Sequence, residues 1–305
     1  MLPRDRRYLL GISGGRDSVA LLYALRDAGL GNLVLCHLNH SLRGEDADTD
    51  ADFVRKLAQQ FDLPCEITRV DVIAEAKKNR QSVELAARHA RHVFFSQCAQ
   101  LHACEEVLLA HHADDQAETI FFNLLRGSGG LKGMLFSSTH EIDGLELLFL
   151  RPLLSITRAE IDQYLSKNGI TYREDASNAE PTATRNRMRN EALPLLNEIM
   201  GREIRPALLR AAAISELRDA SLRESLHDLL LEDPQGRLFL PNLAELSPAL
   251  QRIALHDYLK KSEIPELSHN LLERCISLIT DQSIAKINLP SGKFLRRKEK
   301  RLFIT

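Results

Sequence analysis

Three segments of different character follow one another within the first 25 residues. Residues 8–12 have the length and apolar composition of a buried strand, and residues 19–25 are rich in helix-forming side chains. Between them lies a polar turn with two adjacent glycines, Ser13-Gly14-Gly15-Arg16-Asp17-Ser18. Glycine permits backbone conformations that other residues rarely adopt, and the free N–H groups at a helix start attract an anion. The pattern therefore predicts an α/β fold with a phosphate-binding turn at the carboxyl end of its first strand.

The turn at residues 13–18 offers several groups that could bind a nucleotide. Ser13 and Ser18 supply hydroxyl donors, and either Asp17 or Ser18 is expected to cap the following helix. The turn lacks the Gly-Lys-Ser/Thr ending of a Walker A loop and the Gly-x-Gly-x-x-Gly spacing of a dinucleotide-binding fold. Glycines alone also occur in strand–helix turns that bind nothing. The whole string, however, resembles the SGGxDS pyrophosphate loop of the PP-loop ATPases, which bind ATP and activate a substrate as its adenylate.

Strands and helices alternate along the first half of the chain. After the first strand, strands are predicted at 33–39, 65–70, 107–110 and 145–150, and helices at 46–61, 82–103 and 114–126. This alternation is typical of a doubly wound, mainly parallel five-stranded sheet. The later part predicts helices at 211–231, 243–260 and 269–280, then hairpin strands at 284–289 and 294–304. We therefore expect a smaller, mainly helical C-terminal domain that ends in a hairpin, with domains at 1–205 and 206–305.

Composition limits the class of protein. A chain of 305 residues exceeds the usual size of one hydrophobic core, and 44% apolar with 27% charged residues is ordinary for a soluble globular protein. The net charge of −2 gives no global sign of nucleic-acid binding, so such a surface must come from local patches. The five cysteines form no C-x-x-C pair, which suits a reducing compartment, and no apolar run reaches membrane-spanning length. A cytoplasmic protein with no membrane partner is expected.

A second polar stretch begins where the fourth strand is predicted to end, at His111-His112-Ala113-Asp114-Asp115-Gln116-Ala117-Glu118-Thr119. Asp115 and Glu118 are three residues apart, so they share one face of the new helix. Two neighbouring carboxylates can hold Mg²⁺ or an ammonium group. Acidic residues are also common in a first helical turn that binds no ligand, and a histidine pair is often only solvated. The stretch by itself leaves both interpretations open.

The second stretch resembles the HHxDDQxET motif of the tRNA(Ile)-lysidine synthetases, a family of PP-loop ATPases. Further segments that resemble motifs of that family follow in order over residues 8 to about 200. They are a second-strand motif at 37–43, S-x-E-x-x-A-R-x-x-R at 82–91, a nine-residue loop at 126–134 that looks like RGxGxxGLxGM, RPLL at 151–154, EDxSN at 174–178, and Arg185-Asn186-Arg187-Met188-Arg189, which resembles RNRIR. Arg16 and His92 are small departures, since relatives often carry an apolar residue and Tyr there. The chain resembles the shorter members, and the second C-terminal domain of longer relatives is expected to be absent.

The resemblance implies a reaction and its participants. ATP adenylates the C2 oxygen of the wobble cytidine in tRNA(Ile) with a CAU anticodon, and the ε-amine of free L-lysine then attacks C2 and releases AMP. ATP and Mg²⁺ are implied as cofactors, tRNA(Ile) and lysine as substrates, and a homodimer is left open. The implied nucleotide site comprises Ser13, Gly14, Gly15, Arg16, Asp17, Ser18, His37 and Asn39, and Asp17 is also the candidate Mg²⁺ ligand.

The implied catalytic residues, besides Asp17, are assigned by their charge. Asp115 and Glu118 are candidates for binding the cationic lysine, and His111 or a nearby carboxylate for taking the proton from its amine. Arg88 and Arg91 could bind phosphate or the lysine carboxylate, because arginine binds both groups through two parallel hydrogen bonds. Without the family resemblance, a solvated helix face would be the favoured explanation of these two arginines.

Two groups of basic residues are candidates for tRNA phosphate contacts, and residues 206–305 are assigned as the tRNA-binding domain. The first group is Arg185, Arg187, Arg189 and Arg205, and the second is Lys293, Arg296, Arg297 and Lys298. The simpler explanation is that the first group forms a solvated face. The second could serve only to protect an edge hairpin from strand addition.

Two other functions are alternatives to the lysidine reaction. The first is another PP-loop enzyme, such as a tRNA thiolase, but the thiolases considered use paired cysteines, and a C-x-x-C pair is missing. A small-molecule ligase such as NAD synthetase would not need a basic C-terminal domain. The second is a non-catalytic protein that binds nucleotide or tRNA. Such a protein is expected to have lost polar groups of the loop, yet Ser13, Asp17, Asp115 and Glu118 are present.

Overall fold

The computed structural model describes residues 2–40, 45–127, 131–173, 184–227, 229–265 and 267–305, and for residues 45–48, 184 and 185 it describes the backbone alone. The chain divides into two compact units. One comprises Met1–Glu118 with Met134–Arg205, and the other Thr119–Gly133 with Pro206–Thr305. Sequence patterns assign residues 119–133 to the first domain, whereas their contacts group them with the second unit. The functions assigned to the two domains stay predictions.

The first unit is built around a six-stranded sheet. The strand order is β3-β2-β1-β4-β6-β5, and every neighbouring pair is parallel except β5 with β6. The predicted α/β class with a mainly parallel sheet is therefore confirmed. The elements in chain order are β1 (Tyr8–Gly11), α1 (Arg16–Asp27), β2 (Leu33–Asn39), α2 (Glu45–Phe61), β3 (Cys65–Arg69), α3 (Val72–Asn79), α4 (Val83–His102), β4 (Glu106–Leu108), α5 (Ala113–Leu125), β5 (Ser137–Ile142), β6 (Leu145–Leu150), α6 (Arg158–Lys167), α7 (Thr184–Arg187), a π-helical turn (Met188–Ala192) and α8 (Leu193–Met200).

The prediction of five strands is wrong by one, because β5 is a further strand at the sheet edge. It is antiparallel to β6 and joined to it through Asp143 and Gly144, whose φ angles are 52° and 78°. Tight hairpin turns of this kind need positive φ at both central positions, and Asp-Gly is a common pair there. The turn signal was therefore present in the sequence, but the polar composition of β5 concealed the strand.

Hydrophobic side chains cover both faces of the large sheet. Leu10 and Leu35 pack on one face with residues of α1 and α2, and Leu9 and Val34 pack on the other face with residues of α4. These four side chains are at most 1% exposed. Full burial of one such side chain contributes roughly 1.5–3 kcal/mol. Because successive residues of a strand alternate between the two faces, the face decides which side chains can reach a site at the strand ends.

The second unit is mainly helical and ends in a small sheet. Its four strands are antiparallel in the order β7-β10-β9-β8. The predicted helical C-terminal region with terminal strands is confirmed, but residues 294–304 form two strands, because the chain turns at Glu299 and Lys300 with positive φ. From residue 205 the elements are α9 (Arg205–His227), β7 (Leu238–Phe239), α10 (Leu240–Ala244), α11 (Pro248–Lys261), α12 (His269–Thr280), β8 (Lys286–Asn288), a 3₁₀ turn (Pro290–Gly292), β9 (Phe294–Lys298) and β10 (Arg301–Ile304).

One face of the small sheet belongs to the hydrophobic core of the second unit. Leu295 and Leu302 are fully buried there with side chains of α12. Arg297 lies on the same face as Leu295, and its Nη1 donates to the carbonyls of Leu278 (3.0 Å) and Asp281 (3.1 Å) at the end of α12. Carbonyls at a helix end lack partners within the helix, so these bonds stabilise α12. Arg297 is predicted to contact tRNA, but the structure places it in a contact within the fold.

Within the described ranges, none of the helices is both long enough and apolar enough to cross a membrane.

Candidate active site

The turn between β1 and α1 is held by two serine hydroxyls. The N–H of Gly15 donates to Ser13 Oγ at 3.2 Å, and Ser18 Oγ donates to the carbonyl of Gly15 at 2.9 Å. The two hydroxyl oxygens are 3.1 Å apart. Gly14 has a φ of 85°, a conformation that strains any residue with a side chain. The two serines therefore fix the shape of the turn.

Helix α1 begins at Arg16, and its N-cap residue is Gly15, which has no side chain to act as a cap. The prediction that Asp17 or Ser18 caps this helix is wrong, because both residues lie inside the first turn. A helix start without a side-chain cap leaves its first N–H groups available to a bound anion. The Asp17 carboxylate accepts a hydrogen bond from Arg16 Nε at 3.2 Å and is 33% exposed.

A cleft of about 580 Å³ lies at the carboxyl ends of β1, β2 and β4. Ligands of open α/β sheets bind at this edge. Of the predicted site residues, the cleft brings together most of the turn, Arg91 and His111, whereas Arg88, Asp115 and Glu118 do not line it. Its lining consists of Gly11, Ile12, Ser13, Gly15, Arg16, Asp17, Ser18, Cys36, Leu38, His40, Arg91, Phe94, Phe95, Leu109, Ala110, His111, Arg158, Tyr172 and Arg173.

His37 and Asn39 are predicted to bind the nucleotide, but they point away from the cleft. Both are 5% exposed on the opposite face of β2, where His37 Nδ1 donates to the carbonyl of Ile12 at 2.9 Å. Burial lowers the pKa of His37, although its bond to Ile12 opposes the shift. Leu38 of β2 and His40, the residue that follows the strand, line the cleft instead. The alternation of strand side chains could have predicted this exchange.

Arg91 is a half-buried cation in the cleft wall. It makes no ion pair or hydrogen bond with any residue that the structure describes. Burial lowers its pKa, and the positive charge of Arg88, one helical turn earlier, acts in the same direction. A buried charge without a partner is unfavourable, so this arginine favours the binding of an anion in the cleft. Arg88 itself is exposed and does not line the cleft.

His111 lies in the cleft as a neutral imidazole. Burial lowers its pKa to about 4, and the charges of Arg151 and Arg91 act in the same direction against the opposing effect of Asp115. Its Nδ1 is buried and has no hydrogen-bond partner among the described residues. A neutral imidazole with an unoccupied ring nitrogen can accept a hydrogen bond from an amine, and an anion bound beside it would raise its pKa and make it a stronger base. This environment agrees with the role predicted for His111, which stays a prediction.

The neighbouring His112 is a site residue that the sequence did not single out. It is 4% exposed, and its Nδ1 accepts a hydrogen bond from the N–H of Asp114 at 3.2 Å. In the neutral ring the proton therefore resides on Nε2. This nitrogen lies 3.4 Å from Asp115 Oδ2 and 3.7 Å from Asp17 Oδ2. His112 thus connects the carboxylate of the nucleotide turn with a carboxylate of α5.

Asp115 and Glu118 lie side by side as predicted, but an arginine of the same chain already holds them. Arg189 Nε donates to Glu118 Oε1 at 2.5 Å, and its Nη2 donates to Glu118 Oε2 and Asp115 Oδ1, each at 2.9 Å. We call these three residues the Arg189 clasp. The other Asp115 oxygen accepts the N–H of His112 at 3.1 Å. Arg189 is predicted to contact tRNA, whereas the structure places its guanidinium between these carboxylates.

The other arginines of the first basic group differ in their surroundings. Arg205 lies 3.4 Å from Asp114 and 3.1 Å from Glu203, so carboxylates already compensate its charge. Arg187 is exposed and pairs with Glu191 at 3.0 Å. The side chain of Arg185, the residues at 174–178 and residues 128–130 of the glycine-rich motif lie outside the described residues.

The described residues fit a nucleotide that carries its own metal ion. A helix start without a side-chain cap suits polyphosphate, and so does Arg91, whose charge no described residue compensates. No group of three or more His, Cys, Asp or Glu side chains in the described ranges could hold a metal ion by itself. Mg²⁺ at phosphate sites usually takes one or two carboxylates and the phosphates, so the Asp17 carboxylate suits that role.

Two family matches cover most of the chain. The PP-loop domain family matches residues 3–196, and the TilS substrate binding domain family matches residues 238–303. The tRNA(Ile)-lysidine synthase of Porphyromonas gingivalis is 43% identical over 208 residues, which are 68% of this chain and 44% of that protein. The enzyme of the same name from Geobacter sulfurreducens is 38% identical over 276 residues, 83% of this chain and 57% of that protein. The chain thus spans about half the length of the curated relatives it matches.

Among solved structures, the U34-tRNA thiolase NcsA from Methanococcus maripaludis, with its [4Fe-4S] cluster, is similar in fold. It has a TM-score of 0.54 at 14% identity and covers 70% of this chain and 73% of its own. Such a low identity supports the α/β fold and nothing more specific. The family matches and the identities above are more specific. The chain therefore belongs to the tRNA(Ile)-lysidine synthase family of PP-loop proteins.

Proposed function

We propose that this chain catalyses the tRNA(Ile)-lysidine synthase reaction. With ATP it adenylates the C2 oxygen of the wobble cytidine in tRNA(Ile) with a CAU anticodon, and pyrophosphate leaves. It then joins the ε-amine of free L-lysine to C2, and AMP leaves. The observation that carries the proposal is the position of His112 between Asp17 of the nucleotide turn and Asp115 of α5. The groups for both halves of the reaction are therefore adjacent.

The nucleotide half uses the residues of the cleft. The turn at residues 13–18 binds the pyrophosphate portion through its helix start, and Arg91 compensates phosphate charge. The Asp17 carboxylate would hold Mg²⁺, which would supply positive charge against the phosphates. Adenylation is needed because the C2 oxygen is a poor leaving group, whereas the oxygen in an AMP ester leaves readily.

The amine half uses α5 and the residues before it. Asp115 and Glu118 bind an ammonium group of lysine, since two adjacent carboxylates attract a cation. The attacking amine must lose a proton, and His111 is the candidate acceptor because its buried Nδ1 has no hydrogen-bond partner among the described residues.

A thiolase remains a less favoured candidate. The five cysteines are free, and four of them are buried. Buried thiols in apolar surroundings are inert, and none of the spacings matches a cluster-binding pair. The sequence relatives also carry the lysidine synthase name at 31–43% identity.

Mass spectrometry of nucleosides tests the proposal. The full chain is incubated with ATP, lysine and unmodified tRNA(Ile), and the RNA is digested. Lysidine is expected only when all three substrates are present, with one AMP formed for each lysidine. If AMP forms in the presence of tRNA but no lysidine is detected, the activated tRNA reacts with an acceptor other than lysine. If neither product forms while nucleotide and tRNA still bind, the non-catalytic alternative holds.

We further propose that the exposed face of the small sheet contacts tRNA phosphates. Arg296 and Lys298 are exposed there, and Lys286, which the sequence did not single out, pairs across the strands with Arg296. Lys286 and Arg296 both lie over the Phe294 ring, at 5.0 and 5.6 Å from its centroid. Lys293 is partly engaged, since its Nζ donates to the carbonyl of Ser262 at 3.4 Å.

Replacing both Arg296 and Lys298 by alanine is expected to weaken tRNA binding and to reduce its salt dependence. Each lost phosphate contact should lower the slope of log affinity against log salt by roughly 0.7–0.9. The matched control is Arg297→Ala, which should lower the melting temperature but leave the slope unchanged, because Arg297 bonds to the end of α12. Filter binding at several salt concentrations gives the slopes. If the slope of log affinity against log salt is unchanged and light scattering increases, the two residues keep the protein soluble and do not contact tRNA.

A further inference from the structure

We infer that Arg189 is an exchangeable counter-ion of the Asp115–Glu118 pair, and that a primary ammonium group of the substrate displaces it. In the free protein the guanidinium occupies the position that the ammonium takes in the complex. The inference rests on the proposed function, because the amine substrate is taken from it. It adds a competition between the chain and its substrate for the same two carboxylates.

The geometry makes the two cations mutually exclusive. Arg189 Nη2 lies 2.9 Å from an oxygen of each carboxylate, which is the distance at which an ammonium nitrogen would bind both. The remaining oxygens are also occupied: Glu118 Oε1 accepts Arg189 Nε, and Asp115 Oδ2 accepts the N–H of His112. An ammonium nitrogen that binds both carboxylates at this distance would take the position of Arg189 Nη2, so the guanidinium has to leave it.

The position of Arg189 in the chain permits such an exchange. It lies in the π-helical turn Met188–Ala192, which separates two short α-helices. Single π-helical turns are local irregularities that often occur at functional sites. The Arg189 side chain is 28% exposed, whereas that of Glu118 is only 7% exposed. Glu118 thus stays in the fold while the cation bound to it lies on the solvent side.

Charge balance favours exchange with a cation over simple removal. Glu118 is nearly buried, and a buried carboxylate without a partner is strongly unfavourable. A substrate ammonium group replaces the lost charge, so the pair stays compensated.

Lysine binding to the full chain, without ATP or tRNA, tests the exchange. Isothermal titration compares the wild type, Arg189→Gln and the control Arg187→Gln, which alters an exposed arginine of the same segment. We expect Arg189→Gln to bind lysine at least about fivefold more tightly, because no internal cation competes, and Arg187→Gln to match the wild type. Butylammonium, which has no carboxylate, should show the same order of affinities.

Proton signals of arginine Nε in the wild-type protein give a second measurement that does not depend on the variant folding. The Arg189 signal should shift and exchange faster as lysine is added, while the Arg187 signal stays constant. Equal or weaker lysine binding by a folded Arg189→Gln, or an unmoved Arg189 signal at saturating lysine, would make the clasp a permanent structural link and overturn the inference. If butylammonium displaces Arg189 but no lysidine is ever formed, the exchange stands and the proposed function fails.

Discussion

Replacement of Asp17 by alanine is expected to lower ATP-dependent AMP formation by about 10²–10³-fold, the range seen when one preorganised charge-stabilising group is removed from an active site. The protein should remain folded. Asp17 does not cap α1, and its contacts are with Arg16 on the neighbouring position and with His112 at 3.7 Å. Because its carboxylate is 33% exposed, Asp17 is available to a ligand in the cleft and contributes little to the packing of the core.

A matched variant distinguishes the effect of losing the Asp17 carboxylate from the effect of freeing Arg16 from one of its partners. Arg16 Nη1 also donates to Asp162 at 3.1 Å, and that carboxylate is 47% exposed. Asp162→Ala should keep AMP formation near the wild-type rate, while both variants keep their melting curves. AMP release is measured with saturating tRNA and lysine. A wild-type rate in a folded Asp17→Ala protein would remove Asp17 from the mechanism and leave Arg91 and the helix start as the nucleotide-binding groups.

The elements that the sequence predicts well are those in which several local signals agree. Helix α12 is predicted with both ends correct, and it begins after Ser268, whose Oγ accepts the N–H of Leu271 at 3.2 Å. The first strand, turn and helix are likewise marked by an apolar run, paired glycines and helix formers. The strand β5 is missed because its side chains are polar and only its Asp143-Gly144 turn carries a signal. A local sequence pattern therefore predicts an element correctly only where the apolar pattern and the turn residues both indicate it.

The sequence could predict the residues of the candidate site, but it could not predict the ion pairs that they form. The motifs place Asp115 and Glu118 on one helix face, yet nothing local shows that Arg189, 71 residues beyond Glu118, supplies their counter-ion. Only the folded chain brings the π-helical turn to α5. The same limit explains Arg297, since a basic run near the C-terminus looks uniform until the strand register directs Arg297 to the core and Arg296 to solvent.

Lowering the pH from 7 to 4 is expected to destabilise the first unit steeply, because several histidines are kept neutral in the fold. Burial lowers the pKa of His40, His92 and His111 from 6.5 to about 4, and positive charges of nearby arginines, among them Arg91, act in the same direction. In the unfolded chain these rings bind protons near pH 6.5, while the folded chain binds them only near pH 4. Stability is therefore fully present above pH 6.5 and falls as the pH drops through this window.

His92 is the position at which this effect can be tested without altering the cleft. Its ring lies 5.1 Å from that of Phe149 and 5.7 Å from that of His140. A pKa shift of this size corresponds to a change of at most roughly 3 kcal/mol in the free energy of unfolding between pH 7 and 4. Because solvent partly screens the His92 ring, we expect a change of about 1–2 kcal/mol. His92→Phe keeps the aromatic packing and removes the proton site, so it should lose about that much less stability than the wild type between pH 7 and 4.

Urea unfolding at several pH values measures the difference. The matched control is His269→Gln on the exposed start of α12, which should leave the pH dependence of the wild type unchanged. Parallel curves for His92→Phe and the wild type would show that His92 gains no stability from staying neutral, and the acid sensitivity would then be assigned to His40 and His111. Because both of these line the cleft beside Arg91, a bound polyphosphate should raise their pKa values and reduce the remaining slope, whereas it should leave the contribution of His92 largely intact.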